Sequence, residues 1–167
     1  MSRAVATFGY VGLIRPAPGT WGSLAALAAG VGLYVLGDFP LLLLATLAVV
    51  PLGFWAVARE LARGTDPDPA EIVIDEVAGQ WVTLLFPFAA FWMRGMDPLF
   101  SVTQAWPGWV TAFVLFRIFD IWKPSVIGRA DRRGGTLGVM LDDLWAGVFA
   151  GIATLMAAGL AHGVLMR

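Results

Sequence analysis

Acidic side chains occur as adjacent pairs at two points of the sequence, Asp75 with Glu76 and Asp142 with Asp143. Each pair stands at the start of an apolar segment. Carboxylates crowded beside apolar sequence repel each other and resist leaving water, so they need a cation nearby. Carboxylate oxygens favour a hard cation such as Mg²⁺. Carboxylates with Mg²⁺ beside basic side chains are typical of phosphate chemistry.

A third carboxylate, Asp120, lies between Arg117 and Lys123 in the stretch FRIFDIWKP. The three side chains fall within about 120° of a helix. An internal salt bridge with a snorkelling lysine is one interpretation of this spacing. Arg117 fits it poorly because it lies one turn deeper in the apolar segment, where a charge costs at least about 2.5–3.5 kcal/mol. We therefore interpret Arg117 and Lys123 as candidate phosphate ligands beside a metal carboxylate.

Composition excludes several other kinds of site. The chain of 167 residues has no cysteine and a single histidine, His162. Disulfides, thiolate zinc sites, cysteine nucleophiles and the lipid phosphatases that use two histidines are therefore excluded. The net charge of −1 gives no indication of a nucleic-acid partner.

The sequence predicts an all-α, polytopic membrane bundle in a single domain, residues 1–167. It is 59% hydrophobic and 14% charged, with a mean hydropathy of +0.77, whereas ordinary soluble domains are about 25% charged. A soluble helical bundle is disfavoured because no apolar segment has a clear polar face. We predict about five membrane-embedded helices near residues 21–37, 39–58, 77–93, 106–122 and 144–166.

The basic residues predict an orientation. If the N-terminus is cytoplasmic, nine of the eleven Lys and Arg residues lie on the cytoplasmic side and only Arg94 and Arg167 lie outside. The polar residues then gather in three cytoplasmic regions, 15–23, 59–76 and 117–143, and the last two contain ten of the twelve acidic residues. We therefore expect the site at the cytoplasmic interface, where these regions converge.

Helical spacing places a glycine one turn after each of two acidic residues, Asp75 and Asp143. Glu71, Asp75 and Gly79 share a face if the helix begins before position 71. Asp143, Gly147 and Gly151 share a face of the last segment, and small residues at this spacing let another helix approach closely.

The stretch PGTWGS, residues 18–23, offers a further phosphate contact. Its backbone N–H groups with Thr20 and Ser23 suit an anion at a helix N-terminus. A simple N-cap by Thr20 is the alternative.

Four ordered motifs resemble the phosphatidylglycerophosphatase A family: PGTWGS (18–23), IVIDEVAGQW (72–81), FRIFDIWKP (116–124) and GGTLGVMLDDLWAG (134–147). The resemblance covers most of the chain from about Phe8. One departure is Ser125-Val126-Ile127, where the family usually has a second proline. The resemblance implies an all-helical, Mg²⁺-dependent lipid phosphatase of the bacterial inner membrane. Its substrate would be phosphatidylglycerol phosphate, and its products phosphatidylglycerol and inorganic phosphate.

On this interpretation the side chains have separate roles. The metal ligands are expected among the five carboxylates Asp75, Glu76, Asp120, Asp142 and Asp143. Glu76 or Asp143 is the candidate general base. Arg117 and Lys123 would neutralise the transferred phosphate, and the second phosphate or neighbouring anionic lipid would be met by Arg129, Arg132 or Arg133. The motifs are compatible with direct hydrolysis and with an aspartyl-phosphate intermediate.

Two other functions fit some of the same features. A CDP-alcohol phosphotransferase is also a helical membrane enzyme with Mg²⁺ and clustered aspartates, but its D-x-x-D-G-x-x-A-R string is absent. A small cation or proton transporter would place polar residues at the membrane midplane, whereas here they gather at one interface.

Overall fold

The structure is a computed structural model that describes residues 1–64, 66 and 69–165, with only the backbone described for residues 162–165. Every regular element in the described part of the chain is a helix, which confirms the all-α prediction. The elements are α1 (Ser2–Ala6), a short 3-10 helix (Val11–Leu13), α2 (Pro18–Leu61), α3 (Ile74–Met93), α4 (Pro98–Gln104), α5 (Trp106–Trp122), α6 (Val126–Asp131) and α7 (Gly135–Leu165).

The long helix α2 is interrupted in its middle, at Gly37 and Asp38. Their backbone angles are not helical, and Asp38 adopts a left-handed φ of 57°. The Asp38 carboxylate accepts a 2.7 Å hydrogen bond from the Phe39 N–H, which satisfies one amide that the new helix start leaves free. The break lies between the helices predicted near residues 21–37 and 39–58, which leave room only for a tight connection.

The two arms of α2, residues 18–36 and 39–61, run antiparallel. Gly22 of the first arm and Gly53 of the second both lie against the first residues of α3. Phe39, at the break, stacks on Trp92 at the other end of α3, with ring centroids 5.4 Å apart. A straight helix of 44 residues would be about 66 Å long, so these contacts require the hairpin.

Helix α3 lies at the centre of the bundle. The Trp81 indole N–H donates a 2.8 Å hydrogen bond to the Ala26 carbonyl in the first arm of α2. Further along the same pair of helices, Tyr34 stacks on Phe88 at a centroid distance of 4.0 Å. On another side of α3, the Thr83 hydroxyl lies 3.2 Å from the Gly147 carbonyl of α7. Helix α3 is therefore covered by protein on both sides.

Two helices are long and apolar enough to cross a membrane, Pro18–Leu61 and Gly135–Ala161, or three if α4 and α5, which are bent by 71°, form one span. Their outer surfaces are apolar. Leu44, Leu47 and Leu160 are 62–69% exposed, as contact with lipid requires. The count of five membrane-embedded helices and the extent of the single domain stay predictions.

The start of α3 differs from the predicted one. Helix α3 begins at Ile74, so Glu71 does not share its face with Asp75 and Gly79. Glu71 instead accepts a 3.4 Å hydrogen bond from the Arg3 guanidinium. Sequence spacing predicted an earlier start of the helix, because the apolar run from Ile72 to Ile74 begins two residues before the helix does.

Candidate active site

One cavity of about 450 Å³ opens where the polar segments meet. Its wall is formed by the start of α2, the residues before α3 and the first turn of α3. The end of α5, the end of α6 and the first turns of α7 complete it. Segments far apart in the sequence therefore line one space, as the clustering of acidic residues predicted. The charged residues of the wall are Asp75, Glu76, Arg117, Asp120, Lys123, Asp131, Asp142 and Asp143.

Two glycines bring α3 and α7 together beneath the cavity. A Cβ atom on Gly79 would lie 2.5 Å from the Asp143 carbonyl oxygen, and one on Gly147 would lie 3.1 Å from the Gly79 carbonyl carbon. The helices therefore touch backbone to backbone, which side chains would prevent. Asp75 and Asp143 each stand four residues, about one turn, before the glycine of their helix. The crossing thus places the two carboxylates opposite each other.

Three carboxylates form an acidic cluster, defined as Asp75, Glu76 and Asp143. One oxygen of each lies within 4.8 Å of the others. Within the part of the chain that the structure describes, Asp75 Oδ1, Glu76 Oε2 and Asp143 Oδ2 are buried without a hydrogen-bond partner. Buried unpartnered carboxylates are costly unless a cation neutralises them. The donor set fits a hard divalent cation, because all its ligands are oxygens.

Arg117 reaches the cavity from α5. Its guanidinium donates a 2.5 Å hydrogen bond to Asp120 and a 3.2 Å hydrogen bond to the Ser23 hydroxyl in the first arm of α2. Both members of the ion pair are largely buried, with side-chain exposures of 16% and 13%. Gly19 makes room for this arrangement, because a Cβ there would collide with the Glu76 carboxylate and lie 3.5 Å from the guanidinium. Arg117 therefore stands directly beside the acidic cluster.

Lys123 ends α5 in a left-handed conformation, with φ of 49°. Its ammonium donates hydrogen bonds of 2.5 Å to Asp131 and 2.6 Å to Asp142. Burial lowers the pKa of Lys123, but the two carboxylates outweigh burial and raise the pKa above its usual value. The lysine therefore stays charged at neutral pH. It links α6 to α7 at the rim of the cavity.

Two predicted metal ligands make other contacts. Asp142 accepts from Lys123 with one oxygen and from the Asp143 N–H with the other, at 3.0 Å. Asp120 accepts from Arg117. The structure thus brings all five predicted carboxylates to one cavity, but places only Asp75, Glu76 and Asp143 in the acidic cluster.

Five predicted phosphate contacts are not part of the cavity wall, four of them exposed and one, Ser23, buried. Arg129, Arg132, Arg133 and Thr20 are exposed and are not among the residues that line it. Thr20 is also not an N-cap, because α2 begins at Pro18 with Ala17 in the capping position. Ser23 is buried, and its hydroxyl contacts the Gly19 carbonyl and Arg117. Residues 18–23 form the first turns of α2, in which Thr20 is exposed and Ser23 is buried.

Sequence reasoning missed two polar residues at this site. Asp131 binds Lys123, although it follows Lys123 by eight residues with α6 between them. Gln80 is fully buried in α3, and neither polar atom of its amide has a partner among the described residues. A single uncharged polar residue inside an apolar segment was the available signal for Gln80. No sequence signal pointed to Asp131, because the turn before α6 sets its position.

The ion pair of Lys123 with Asp142 gives a stability prediction. Replacing Lys123 with methionine leaves Asp142, whose side chain is 6% exposed, without its cation. We expect the free energy of unfolding to fall by about 3 kcal/mol, because a buried charge loses its partner. Thermal unfolding in detergent micelles measures the change.

Arg3→Met is the matched control for this prediction. The partners in that ion pair are 58% and 37% exposed, so its loss should cost less than about 1 kcal/mol. Adding Asp142→Asn to Lys123→Met should recover part of the stability. Equal effects of Lys123→Met and Arg3→Met would contradict the structural role of Lys123.

Comparison with known proteins assigns the chain to a family. The family model for phosphatidylglycerophosphatase A matches residues 4–158. The chain is 37% identical over 140 residues to phosphatidylglycerophosphatase A of Haemophilus influenzae, covering 83% of this chain and 77% of that protein. It is 34% identical over 143 residues to the Escherichia coli protein of the same name, covering 83% and 73%.

A third relative has a different name. The chain is 38% identical over 148 residues to a Bacteroides thetaiotaomicron protein named "Putative phosphatidylinositol-3-phosphatase", covering 84% of this chain and 83% of that protein. No solved structure matches the chain. The match over residues 4–158 includes all four sequence motifs and every residue of the cavity wall. The chain therefore belongs to the phosphatidylglycerophosphatase A family.

Proposed function

We propose that this protein is a Mg²⁺-dependent lipid phosphatase that hydrolyses phosphatidylglycerol phosphate to phosphatidylglycerol and inorganic phosphate. The observation that carries the proposal is the acidic cluster with three unpartnered oxygens, standing beside Arg117 in one cavity. The family membership and the names of two relatives support the same reaction.

Asp75, Glu76 and Asp143 are the residues that would hold Mg²⁺. When bound, the ion supplies charge neutralisation for the phosphoryl group and lowers the pKa of water. Asp142 is a weaker candidate ligand, because both of its oxygens already accept hydrogen bonds. Asp120 keeps one oxygen outside its contact with Arg117, so it orients that guanidinium and remains available to a second cation.

Arg117 supplies positive charge for the transferred phosphate. Guanidinium groups bind phosphate oxygens with charge-assisted hydrogen bonds, and this one is already held by Asp120 and Ser23. Lys123 adds a second positive charge at the rim. The exposed arginines 129, 132 and 133 follow α5 on the same side and suit the second phosphate or anionic lipid headgroups.

The reaction breaks the bond between the terminal phosphorus and the glycerol oxygen. Water supplies the oxygen that enters phosphate and gives one proton to a carboxylate base, and that proton passes to the glycerol oxygen, which leaves as a hydroxyl. Glu76 and Asp143 are the candidate bases, because each has a buried oxygen without a partner. The geometry serves both direct attack by water and transient transfer to an aspartate.

Phosphate release from purified protein tests the proposal. In detergent micelles with phosphatidylglycerol phosphate, we expect inorganic phosphate to appear with Mg²⁺ and to stop with EDTA. Phosphatidylinositol 3-phosphate belongs in the same assay, because one relative carries that activity in its name. Absence of Mg²⁺-dependent release from phosphatidylglycerol phosphate would refute the proposed function.

We also propose that the protein lies in the bacterial inner membrane with the cavity facing the cytoplasm. The distribution of basic residues supports this orientation. Because the chain has no cysteine, single substitutions give clean labels. We expect a membrane-impermeant thiol reagent to label Asp97→Cys from outside intact cells and to leave Asp66→Cys unlabelled. The opposite pattern would reverse the orientation.

A further inference from the structure

Gln80 is an anomaly in the centre of the bundle. Its side chain is fully buried, and its Oε1 and Nε2 atoms both lack hydrogen-bond partners within the described ranges. A buried amide without partners costs about 1–3 kcal/mol. An apolar side chain of similar size would avoid this cost, so the amide requires an explanation other than folding.

The position of Gln80 follows from its neighbours on α3. Glu76, one turn earlier, contacts Gly19 near the start of α2, and Leu84, one turn later, contacts Gly30 in the same arm. Gln80 lies midway on this stripe and therefore faces the same arm between those two glycines. Ser23 stands in that interval and accepts a hydrogen bond from Arg117. Helical spacing thus places Gln80 one turn after Glu76 on α3, toward the arm of α2 that carries Ser23.

Two other unpartnered atoms of the site complement the amide of Gln80. Glu76 Oε2 is a buried acceptor without a donor, and Arg117 Nε is a buried donor without an acceptor. A glutamine amide offers one of each, an N–H group for the carboxylate and a carbonyl oxygen for the guanidinium. Among the described residues, the other uncharged side chain with a buried unpartnered polar atom is Tyr34, which packs on Phe88 farther along α3.

We propose that Gln80 is a positioning residue that bridges Glu76 and Arg117 from beneath the cavity through one internal water. This inference deepens the proposed function, since it concerns how the same site holds its cation and its phosphate ligand. The bridge fixes the Glu76 carboxylate toward the acidic cluster and the Arg117 guanidinium toward the phosphate. Partners of this kind set the orientation of metal-binding carboxylates, and their loss typically lowers metal affinity or activity about 10–100-fold.

The test is Gln80→Met, which keeps length and removes both polar atoms. We expect the affinity for Mn²⁺, measured by electron paramagnetic resonance on detergent-solubilised protein, to fall about 10-fold or more. The kcat for phosphatidylglycerol phosphate should fall in the same range, with a smaller change in KM. The thermal unfolding temperature without metal should change little, because removing a buried amide that lacks a direct protein partner offsets the loss of the bridge to Glu76 and Arg117. Gln80→Asn, which keeps an amide on a shorter side chain, should give intermediate values.

Thr46→Val is the control, since it also removes a buried polar atom, one that bonds only the Leu42 carbonyl of its own helix. It should leave Mn²⁺ affinity and kcat unchanged. Unchanged Mn²⁺ affinity and kcat in Gln80→Met would overturn the proposal, as would losses that merely follow a lower unfolding temperature or a failure to fold. Failure of the proposed function can be told apart from failure of this inference. In the first case the wild-type protein itself would bind Mn²⁺ without hydrolysing phosphatidylglycerol phosphate.

Discussion

Asp143→Asn is expected to lower phosphate release from phosphatidylglycerol phosphate by at least about 100-fold while the protein stays folded. Asp143 is 3% exposed, and its Oδ2 atom has no protein partner among the described residues. It faces Asp75 across the crossing of α3 and α7, within the acidic cluster. An amide keeps the shape but removes the negative charge that a divalent cation requires. This loss of activity should exceed the roughly 10–100-fold loss that is typical when a residue hydrogen-bonded to a metal ligand is removed, because Asp143 would bind the metal itself.

The same variant should gain stability in the absence of metal, although it loses activity. Without metal, the carboxylates of the acidic cluster repel each other, so removing one charge should raise the unfolding temperature in EDTA. Mg²⁺ should then stabilise Asp143→Asn less than it stabilises the wild-type protein, because the stability that a bound ligand adds grows with the logarithm of its affinity.

Asp97→Asn is the matched control for Asp143→Asn. Asp97 caps α4 by accepting a 2.9 Å hydrogen bond from the Phe100 N–H, and asparagine caps helices about as well. Activity and the response to Mg²⁺ should both be unchanged. Full activity of Asp143→Asn would remove Asp143 from the reaction.

Gly147→Ala is expected to damage both stability and activity through a single methyl group. That methyl would lie 3.1 Å and 3.2 Å from the carbonyl carbon and Cα of Gly79, which are backbone atoms that cannot rotate away. Helices α3 and α7 must then separate, which should cost about 1–3 kcal/mol of unfolding free energy. The separation also moves Asp75 away from Asp143. A displacement of about 1 Å at a reacting centre can cost about 100-fold, so we expect at least a 10-fold fall in kcat.

The control for this prediction is Gly32→Ala in the first arm of α2. An added methyl there meets no atom within 4 Å, so alanine should be neutral or stabilise the helix by up to about 1 kcal/mol. Thermal unfolding and phosphate release are measured on both variants. The comparison separates the effect of crowding at Gly147 from the general effect of replacing a helical glycine with alanine. A Gly147→Ala protein as active and as stable as Gly32→Ala would show that the contact between α3 and α7 does not position the carboxylates.

The sequence identified most of the residues that meet at the cavity but not their pairing. Asp75, Asp143 and their glycines were readable because spacing along a single helix fixes which residues share a face. The Arg117–Asp120 ion pair follows the i, i+3 spacing within α5. The partner of Asp142 was not readable, because it depends on where α5 ends and how α6 folds back. Lys123 shows the difference: its charge was noticed, but its contacts with Asp131 and Asp142 arise from a left-handed residue at a helix end.

By itself the sequence determined the helical class, the break at residues 37–40, the family and the gathering of acidic residues, since each follows from local pattern or ordered motifs. The tertiary structure alone decided which carboxylates lie within 4.8 Å of each other, that Ser23 holds Arg117 and that Gln80 lies buried beneath them. These facts depend on how α2, α3, α5 and α7 pack. Packing is set by close contacts between residues distant in sequence, such as Gly79 with Gly147, and no local pattern encodes such a pairing.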